Sequence, residues 1–219
     1  MANRKAFRGV PMEGWVARWY DGIAQRERDE IKTLALQLVG RLPAGARVLE
    51  VAPGPGYLAI ELAKLGNYRI TGLDISKTLL QIASMNATRE GVHVDFRQGN
   101  AADMPFETDT FDVVICRKGL QNFSEPVKAL REMRRVLKTS GTAFLSDIRR
   151  DVPSRVLNHH VRKISTGFGN WFVNQLAHRA IVKRRAHNKT QLAQLSAAGG
   201  FRSSEFREGP IFLEAWLGE

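Results

Sequence analysis

The chain has 219 residues, of which 43% are hydrophobic and 25% charged, values typical of one globular domain with a full core. A single cysteine, Cys116, excludes a disulfide framework and a cysteine-based metal cluster, and we expect no metal site. The formal net charge of +11 favours an anionic partner, whether substrate, membrane surface or nucleic acid.

The first forty residues are predicted to be helical, since Trp15, Val16, Trp19 and Tyr20 lie on one side of a turn. From Pro43 onward, apolar strands alternate with helical periods. The predicted strands are Val48–Val51, Arg69–Leu73, Val92–Arg97, Phe111–Cys116 and Thr142–Ser146. The helices between them are predicted at Tyr57–Leu65, Lys77–Glu90 and Pro126–Lys138. This alternation indicates a doubly wound α/β domain with a mostly parallel, Rossmann-like sheet.

The pattern changes after the fifth strand. Residues 149–189 hold ten Lys or Arg against one acid, and we predict a basic, mostly helical insert there. A last helix over Thr190–Ala198 is predicted to begin at Thr190 as N-cap and to stop at Gly199-Gly200. Two short strands, Phe201–Arg207 and Ile211–Leu217, form a hairpin and therefore place one antiparallel strand in the sheet.

We thus expect one domain over residues 1–219. Its parts are N-terminal helices over 1–42, a core over 43–148, the basic insert over 149–189, and the last helix and hairpin over 190–219. The N-terminus is charged without an apolar run, and no stretch is apolar and long enough to span a bilayer. A cytoplasmic protein is the natural expectation. The oligomeric state is open, and the aromatic residues near both termini are compatible with a homodimer.

The segment from Arg47 to Asp74 predicts a nucleoside-cofactor site. Gly54 and Gly56 allow a sharp turn and a close approach to a ligand, and the helix that follows points its free N–H groups into the same space. Asp74, at the end of the second strand, is placed to bind two ribose hydroxyls. The spacing also fits a dinucleotide fingerprint, so this segment alone leaves a nicotinamide or flavin enzyme open.

Four sequence blocks in order go further: V-L-E-V-A-P-G-P-G, G-L-D-I-S, G-N-A-A-D-M-P-F-E-T-D-T-F-D-V-V-I-C-R and R-E-M-R-R-V-L-K-T-S-G-T-A-F-L-S-D. With the closing hairpin, they make the chain similar to the class I S-adenosylmethionine-dependent methyltransferases, especially the bacterial small-molecule branch that includes quinone-biosynthesis C-methyltransferases. The resemblance covers about residues 12–150 and 186–219. The basic insert is the unmatched part.

The resemblance implies S-adenosylmethionine as cofactor and a set of positions that contact or brace it. They are Tyr20, Glu50, Ala52, Gly54, Gly56, Asp74, Ile75, Asn100, Ala101 and Arg117. Within this set, Asp74 would hold the ribose, Asn100 and Ala101 would read the adenine edge, and Tyr20 would close over the site. Asn100 replaces the family's common Asp, but it keeps an acceptor oxygen.

Methyl transfer from a sulfonium is an in-line displacement that needs positioning more than a dedicated catalytic residue. If the acceptor must lose a proton, the candidate bases are His159, His160, His178 and Asp147. The histidine pair that relatives often carry after the fourth strand is replaced here by Gln121-Asn122. An acid–base role for that pair is therefore not transferred.

The family commonly builds its substrate lid where this chain has the basic insert. The predicted substrate contacts combine cations and aromatic rings, and they are Gln121, Arg149, Arg150, Phe168, Trp171 and Phe172. They suit a small anionic or aromatic metabolite. The alternatives are an RNA methyltransferase, a quinone or lipid methyltransferase at a membrane surface, and a non-catalytic sensor of the cofactor.

Overall fold

The computed structural model of the chain describes residues 11–165 and 184–219. Seven strands form one sheet, and they are β1 (Arg47–Val51), β2 (Arg69–Asp74), β3 (Asp95–Gln98), β4 (Phe111–Arg117), β5 (Leu137–Ile148), β6 (Ser203–Glu208) and β7 (Phe212–Gly218). The helices described are α1 (Gly14–Arg26), α2 (Arg28–Val39), α3 (Tyr57–Leu65), α4 (Lys77–Arg89), α5 (Pro126–Val136), α6 (Ser154–Ile164) and α7 (Lys189–Ala198), with a 3₁₀ turn at Leu120–Asn122.

The strand order is β3-β2-β1-β4-β5-β7-β6. Strands β1 to β5 are parallel to one another, and β7 pairs antiparallel with both β5 and β6. In this order β2 and β3 lie on one side of β1, and β4 and the later strands lie on the other. The strand order thus reverses between β1 and β4, and ligands of open α/β sheets bind at such a position. The predicted fold class, a mostly parallel Rossmann-like sheet with an antiparallel C-terminal strand, is confirmed.

Apolar residues cover both faces of the sheet. One layer joins β4, β5 and β7 to α5 and α7, with Leu130, Met133 and Leu145 almost fully buried. The other joins β1 to α2 and α3, with Leu38 and Leu62 at its centre. A smaller cluster packs α6 against the end of the hairpin through Leu157 and Val161. The sheet is therefore held rigidly below its carboxyl edge, where the candidate site lies.

The elements differ from prediction in several places. Strand β3 begins at Asp95 and not at Val92, and β6 begins at Ser203 and not at Phe201. Strand β5 begins at Leu137 and runs past the predicted Thr142, because Leu137 pairs with Phe111 before an irregularity in the ladder. Helix α7 begins one residue earlier than predicted, since Asn188 and Gln191 form a capping box and Asn188, not Thr190, is the N-cap. In α1, Trp15 is 76% exposed, so the predicted apolar side is only partly buried.

The predicted insert is described in part. Helix α6 occupies its first section, and residues 166–183 lie outside the described residues, as do the predicted contacts Phe168, Trp171 and Phe172 and the candidate base His178. Across residues 11–165 and 184–219, no helix combines the length and the hydropathy that crossing a membrane requires.

Candidate functional site

The loop between β1 and α3 has a backbone that only small residues can follow. Gly54 has φ of +57° and Gly56 has φ of +81°, both left-handed. A Cβ on Gly56 would come within 2.8 Å of the Phe96 ring and 2.9 Å of Ala83. Ala52 is also left-handed, with φ of +58°, in a region that residues with a side chain seldom adopt. The loop thus forms a tight, preformed cradle at the carboxyl edge of the sheet.

Asp74 ties this loop to the end of β2. The amide N–H of Gly54 donates to Oδ2 of Asp74 at 3.1 Å, and the amide of Ser76 donates to Oδ1 at 2.9 Å. The carboxylate is buried, and burial raises its pKa to about 6. Each oxygen keeps a lone pair beyond these bonds, so the side chain can accept two further hydrogen bonds from a ligand.

Glu50 lies one strand away, in register with Gly72 of β2 and Ile115 of β4. It is 3% exposed, and burial raises its pKa to about 7, although a hydrogen bond from the Ala59 amide in the first turn of α3 lowers it. Its Oε2 atom has no hydrogen-bond partner in the described residues. A buried, unpaired acceptor beside the loop can bind a cationic or donor group of a ligand.

Tyr20 of α1 lies over the glycine loop. Its Cε1 atom would be 3.4 Å from a Cβ on Gly54, so ring and loop are in van der Waals contact. Burial raises the pKa of Tyr20 to about 12, and the carboxylates of Glu27, Asp74 and Glu50 act on it in the same direction. The hydroxyl therefore stays protonated and is able to donate inside the site. The structure brings Tyr20 to the predicted position over the loop.

The residues predicted to meet adenine lie after β2 and β3. Oδ1 of Asn100 accepts from the Ala102 amide at 3.0 Å, which holds the side chain against the start of the next loop. The carbonyl of Ile75 accepts from Nε2 of Gln98 at 3.2 Å, which joins the ends of β2 and β3. Ile75, Asn100 and Ala101 are all half-buried, so a flat ligand can reach them.

A buried group of charges closes the other side of the site. We call Glu27, Arg117, Lys118 and His160 the Glu27 cluster. Oε1 of Glu27 lies 2.5 Å from Nζ of Lys118 and 3.5 Å from Nε2 of His160, and Oε2 lies 3.5 Å from the Arg117 guanidinium. The Arg117 guanidinium and the Lys118 ammonium also lie over the ring of Phe212. The cluster joins the α1–α2 junction to the end of β4 and to α6.

The pKa values in this cluster follow from its geometry. Although burial raises the pKa of Glu27, the Lys118 ammonium, the His160 hydrogen bond and the Arg117 guanidinium hold it well below its usual range. Burial lowers the pKa of Lys118, and Lys118 also has a left-handed backbone with φ of +56°. Sequence reasoning found Arg117 and His160 as candidates but missed Glu27 and Lys118.

The remaining predicted residues separate into inner and outer groups. Asp147 and Gln121 are buried at the carboxyl edge, and Asp147 is within electrostatic range of Lys118 and Arg117. Arg149 is bound to Asp151, to Glu208 and to the Gly209 carbonyl. Arg150 and His159 are exposed on the surface. The structure therefore places Asp147, Gln121 and His160 near the candidate site. The guanidinium of Arg149 is instead bound by residues of its own loop and of the hairpin.

These features fit one kind of ligand. The glycine cradle has no room for a Cβ at Gly56, Asp74 offers two acceptors, and Glu50 offers an orphaned acceptor beside them. Together they suit an adenosine whose ribose meets a carboxylate and which carries a positively charged group toward β1 and β4. The fold and the site define a Rossmann-like domain for a nucleoside cofactor, and the described residues contain no cluster of three His, Cys, Asp or Glu suited to a metal ion.

Known proteins agree with this class. A family model for a methyltransferase domain matches residues 49–145. A ubiquinone biosynthesis O-methyltransferase from Xanthomonas axonopodis pv. citri is 34% identical over 137 residues, which covers 61% of this chain and 57% of that protein. The uncharacterized methyltransferase YcgJ of Bacillus subtilis is 35% identical over 151 residues, covering 63% and 59%. The chain thus spans less than three fifths of the length of these curated relatives.

The fold is also shared with solved structures. A protein from Methanococcus maripaludis, proposed to be an S-adenosylmethionine-dependent methyltransferase, superposes with a TM-score of 0.78 at 20% identity, covering 97% of this chain and 95% of that one. Residues 49–145 therefore match a methyltransferase domain, and the chain is similar in sequence to the two methyltransferases named above. The solved structure adds that the fold is shared.

Proposed function

We propose that this protein is a methyltransferase that moves the methyl group of S-adenosylmethionine to a small, anionic or aromatic metabolite. The observation that carries the proposal is the buried carboxylate of Asp74, which is bound to the Gly54 amide and still has two free acceptor positions. A nicotinamide or flavin dinucleotide is disfavoured because residues 49–145 match a methyltransferase domain.

The residues around the loop have separate roles in this proposal. Asp74 accepts from the two ribose hydroxyls, and Asn100 and Ala101 face the adenine edge. Glu50 compensates the positive charge of the methionine ammonium, either directly or through water, because its Oε2 atom has no hydrogen-bond partner within residues 11–165 and 184–219. The Tyr20 ring covers the loop and excludes water from the bound cofactor.

S-adenosylmethionine supplies an activated methyl group, so the protein chiefly orients the acceptor opposite that carbon. The end of β4 is where the acceptor would lie, since Arg117 ends that strand and Gln121 follows in the 3₁₀ turn. Arg117 and Lys118 bring two cations to this side of the site, and both lie over the ring of Phe212. Glu27 and Asp147 offset them in charge, and these cations are the groups that support an anionic group on the acceptor.

The insert and the relatives support an aromatic acceptor. We propose that residues 149–189 cover the acceptor, with helix α6 held against the domain by the contact of Glu27 with His160. The Xanthomonas relative bears the name of an O-methyltransferase of ubiquinone biosynthesis, which points to a hydroxylated ring as one acceptor type.

Calorimetry with S-adenosylmethionine, S-adenosylhomocysteine and NAD tests the cofactor assignment. We expect the first two to bind and NAD not to bind. Asp74→Ala should weaken binding by roughly tenfold to a hundredfold, because hydrogen bonds to a charged group are worth about 1.5–3 kcal/mol. Asp95→Ala is the matched control, since Asp95 lies on β3 and its ion-pair partner in the described residues is the exposed Arg97. Unchanged affinity in Asp74→Ala, with the fold intact by circular dichroism, would refute the assignment.

A further inference from the structure

Asp147 stands out among the buried polar groups of the described residues. It lies near the carboxyl end of β5, opposite Leu213 of β7, and is 5% exposed. Within residues 11–165 and 184–219, neither Oδ1 nor Oδ2 makes a hydrogen bond of normal geometry, although the backbone amides of Gln121 and Leu120 lie close enough to lower its pKa. The side-chain amide of neighbouring Gln121 is also buried, and its Oε1 atom has no hydrogen-bond partner in the same residues. The inner wall beyond β4 and β5 thus presents acceptor atoms that no well-aligned donor in the described part of the chain satisfies.

A carboxylate buried in this way destabilises the folded state, so its presence calls for a reason other than stability. A buried charge without hydrogen bonds loses its hydration, and native proteins rarely leave one in that state. Lys118 and Arg117 favour the charged form and lower the pKa of Asp147, but both are bound to Glu27, and neither forms an ion pair with Asp147 in the described residues. The amides of Leu120 and Gln121 lower the pKa of Asp147, but burial is the larger effect and raises it to about 7.

We propose that Asp147 binds the methyl acceptor directly, by accepting a hydrogen bond from the acceptor's hydroxyl or amino group, and takes up that proton during transfer. This inference rests on the proposed function. It assigns the site a substrate class: molecules whose reacting atom is an oxygen or nitrogen that bears a hydrogen. Fully alkylated ethers and tertiary amines lack the donor that Asp147 needs.

The step balances. The lone pair of the acceptor oxygen or nitrogen forms the new bond to the methyl carbon, and the electron pair of the broken carbon–sulfur bond stays on sulfur as S-adenosylhomocysteine forms. The proton of the acceptor goes to an Oδ atom of Asp147 and then to water. A pKa near the working pH is the value at which a general base is most effective, and a positioned base contributes about 10²–10⁴-fold.

Stability provides a test that is independent of turnover. If the buried carboxylate serves to bind a ligand and does not stabilise the fold, Asp147→Asn should raise Tm at pH 8 by roughly 2–4 °C or more. The folded pKa of about 7 lies above the unfolded value, so wild-type stability falls as pH rises from about 4 to 7. The difference between variant and wild type should therefore shrink at pH 5.

The groups that face Asp147 are Lys118, Arg117 and the buried Cys116 thiol. The ordinary pKa values of lysine and of a thiol lie above the range from pH 5 to pH 8 in which the two Tm values are compared. Asp151→Asn is the matched control, because Asp151 is exposed and paired with Arg149, and loss of its charge should leave Tm unchanged or lower it. A fall in Tm for Asp147→Asn at pH 8 would show that the carboxylate is structural and would overturn the inference.

Binding provides the second test. Calorimetry on protein saturated with S-adenosylhomocysteine would compare phenols and anilines with their O-methyl or N,N-dimethyl counterparts, beginning with 3,4-dihydroxybenzoate and 3,4-dimethoxybenzoate. We expect wild type to prefer the donor-bearing member by tenfold or more, and Asp147→Leu, which has no acceptor, to reduce that preference to within about threefold. Asp147→Asn keeps a neutral acceptor oxygen, so its preference should lie between those of wild type and Asp147→Leu.

An equal preference in wild type and variant would overturn the inference, as would a panel in which no donor-bearing compound binds. Failure of S-adenosylhomocysteine itself to bind would instead overturn the proposed function. The Tm comparison needs no ligand, so the two failures are distinguishable.

Discussion

Replacing Glu27 with Gln should destabilise the protein more than any surface charge change. Glu27 is 3% exposed and is shared by Lys118, Arg117 and His160, so the variant leaves two cations nearly buried without a counter-charge. Removing one partner of a buried ion pair costs about 3–5 kcal/mol. For a chain of this length, that corresponds to a fall in Tm of roughly 6–20 °C.

Urea unfolding followed by circular dichroism measures the change. Glu205→Gln is the control, because Glu205 pairs with Arg41 on the exposed surface and should contribute less than about 1 kcal/mol. Adding Lys118→Met to Glu27→Gln should recover part of the loss, since the unpaired ammonium is then gone. Because the pKa of Glu27 is lowered in the folded state, its carboxylate stabilises the fold fully at pH values above the unfolded pKa. The difference in stability between wild type and Glu27→Gln should therefore become smaller below about pH 4.

A Glu27→Gln variant as stable as Glu205→Gln would refute the reasoning. It would mean that the Glu27 cluster is open to water and does not hold α6 against the end of β4.

Two further predictions concern the glycine loop. Gly56→Ala should reduce the free energy of unfolding by about 1–3 kcal/mol more than Gly91→Ala does. Both residues have a left-handed backbone, but only a Cβ on Gly56 would clash with Phe96 and Ala83. Thermal unfolding of the two variants, with and without S-adenosylhomocysteine, measures this difference. Ala52→Gly should stabilise the protein by about 0.5–1 kcal/mol, since relief of the left-handed strain exceeds the added chain entropy. Equal losses at Gly56 and Gly91, or a destabilised Ala52→Gly, would contradict these predictions.

The cofactor side of the site follows from local sequence. Gly54, Gly56 and Asp74 lie at the ends of two adjacent strands, and the parallel pairing of those strands fixes their separation once the fold is known. The spacing of the four sequence blocks supplied the fold. Even the missed N-cap was visible, because Asn188-Lys189-Thr190-Gln191 has the capping-box spacing.

The acceptor side depends on contacts between distant residues, and these leave no local pattern. Glu27 lies 91 positions before Lys118 in the chain, and nothing near either residue indicates that they pair. The ion pair of Arg149 with Glu208 likewise depends on the hairpin and has no local signal, and the predicted substrate contact of Arg149 stays a prediction. The sequence offers Asp147 as one of four candidate bases, and only the structure separates it, by its burial and its oxygens without well-aligned donors in the described residues, from the exposed His159.

A crystal structure of the full chain with S-adenosylhomocysteine tests the central claim most directly. We expect both ribose hydroxyls to bind the carboxylate of Asp74, the adenine to lie between Ile75 and Asn100, and the sulfur to face the edge that Asp147 and Gln121 line. A ribose bound away from Asp74, or a sulfur that faces away from the ends of β4 and β5, would contradict the account.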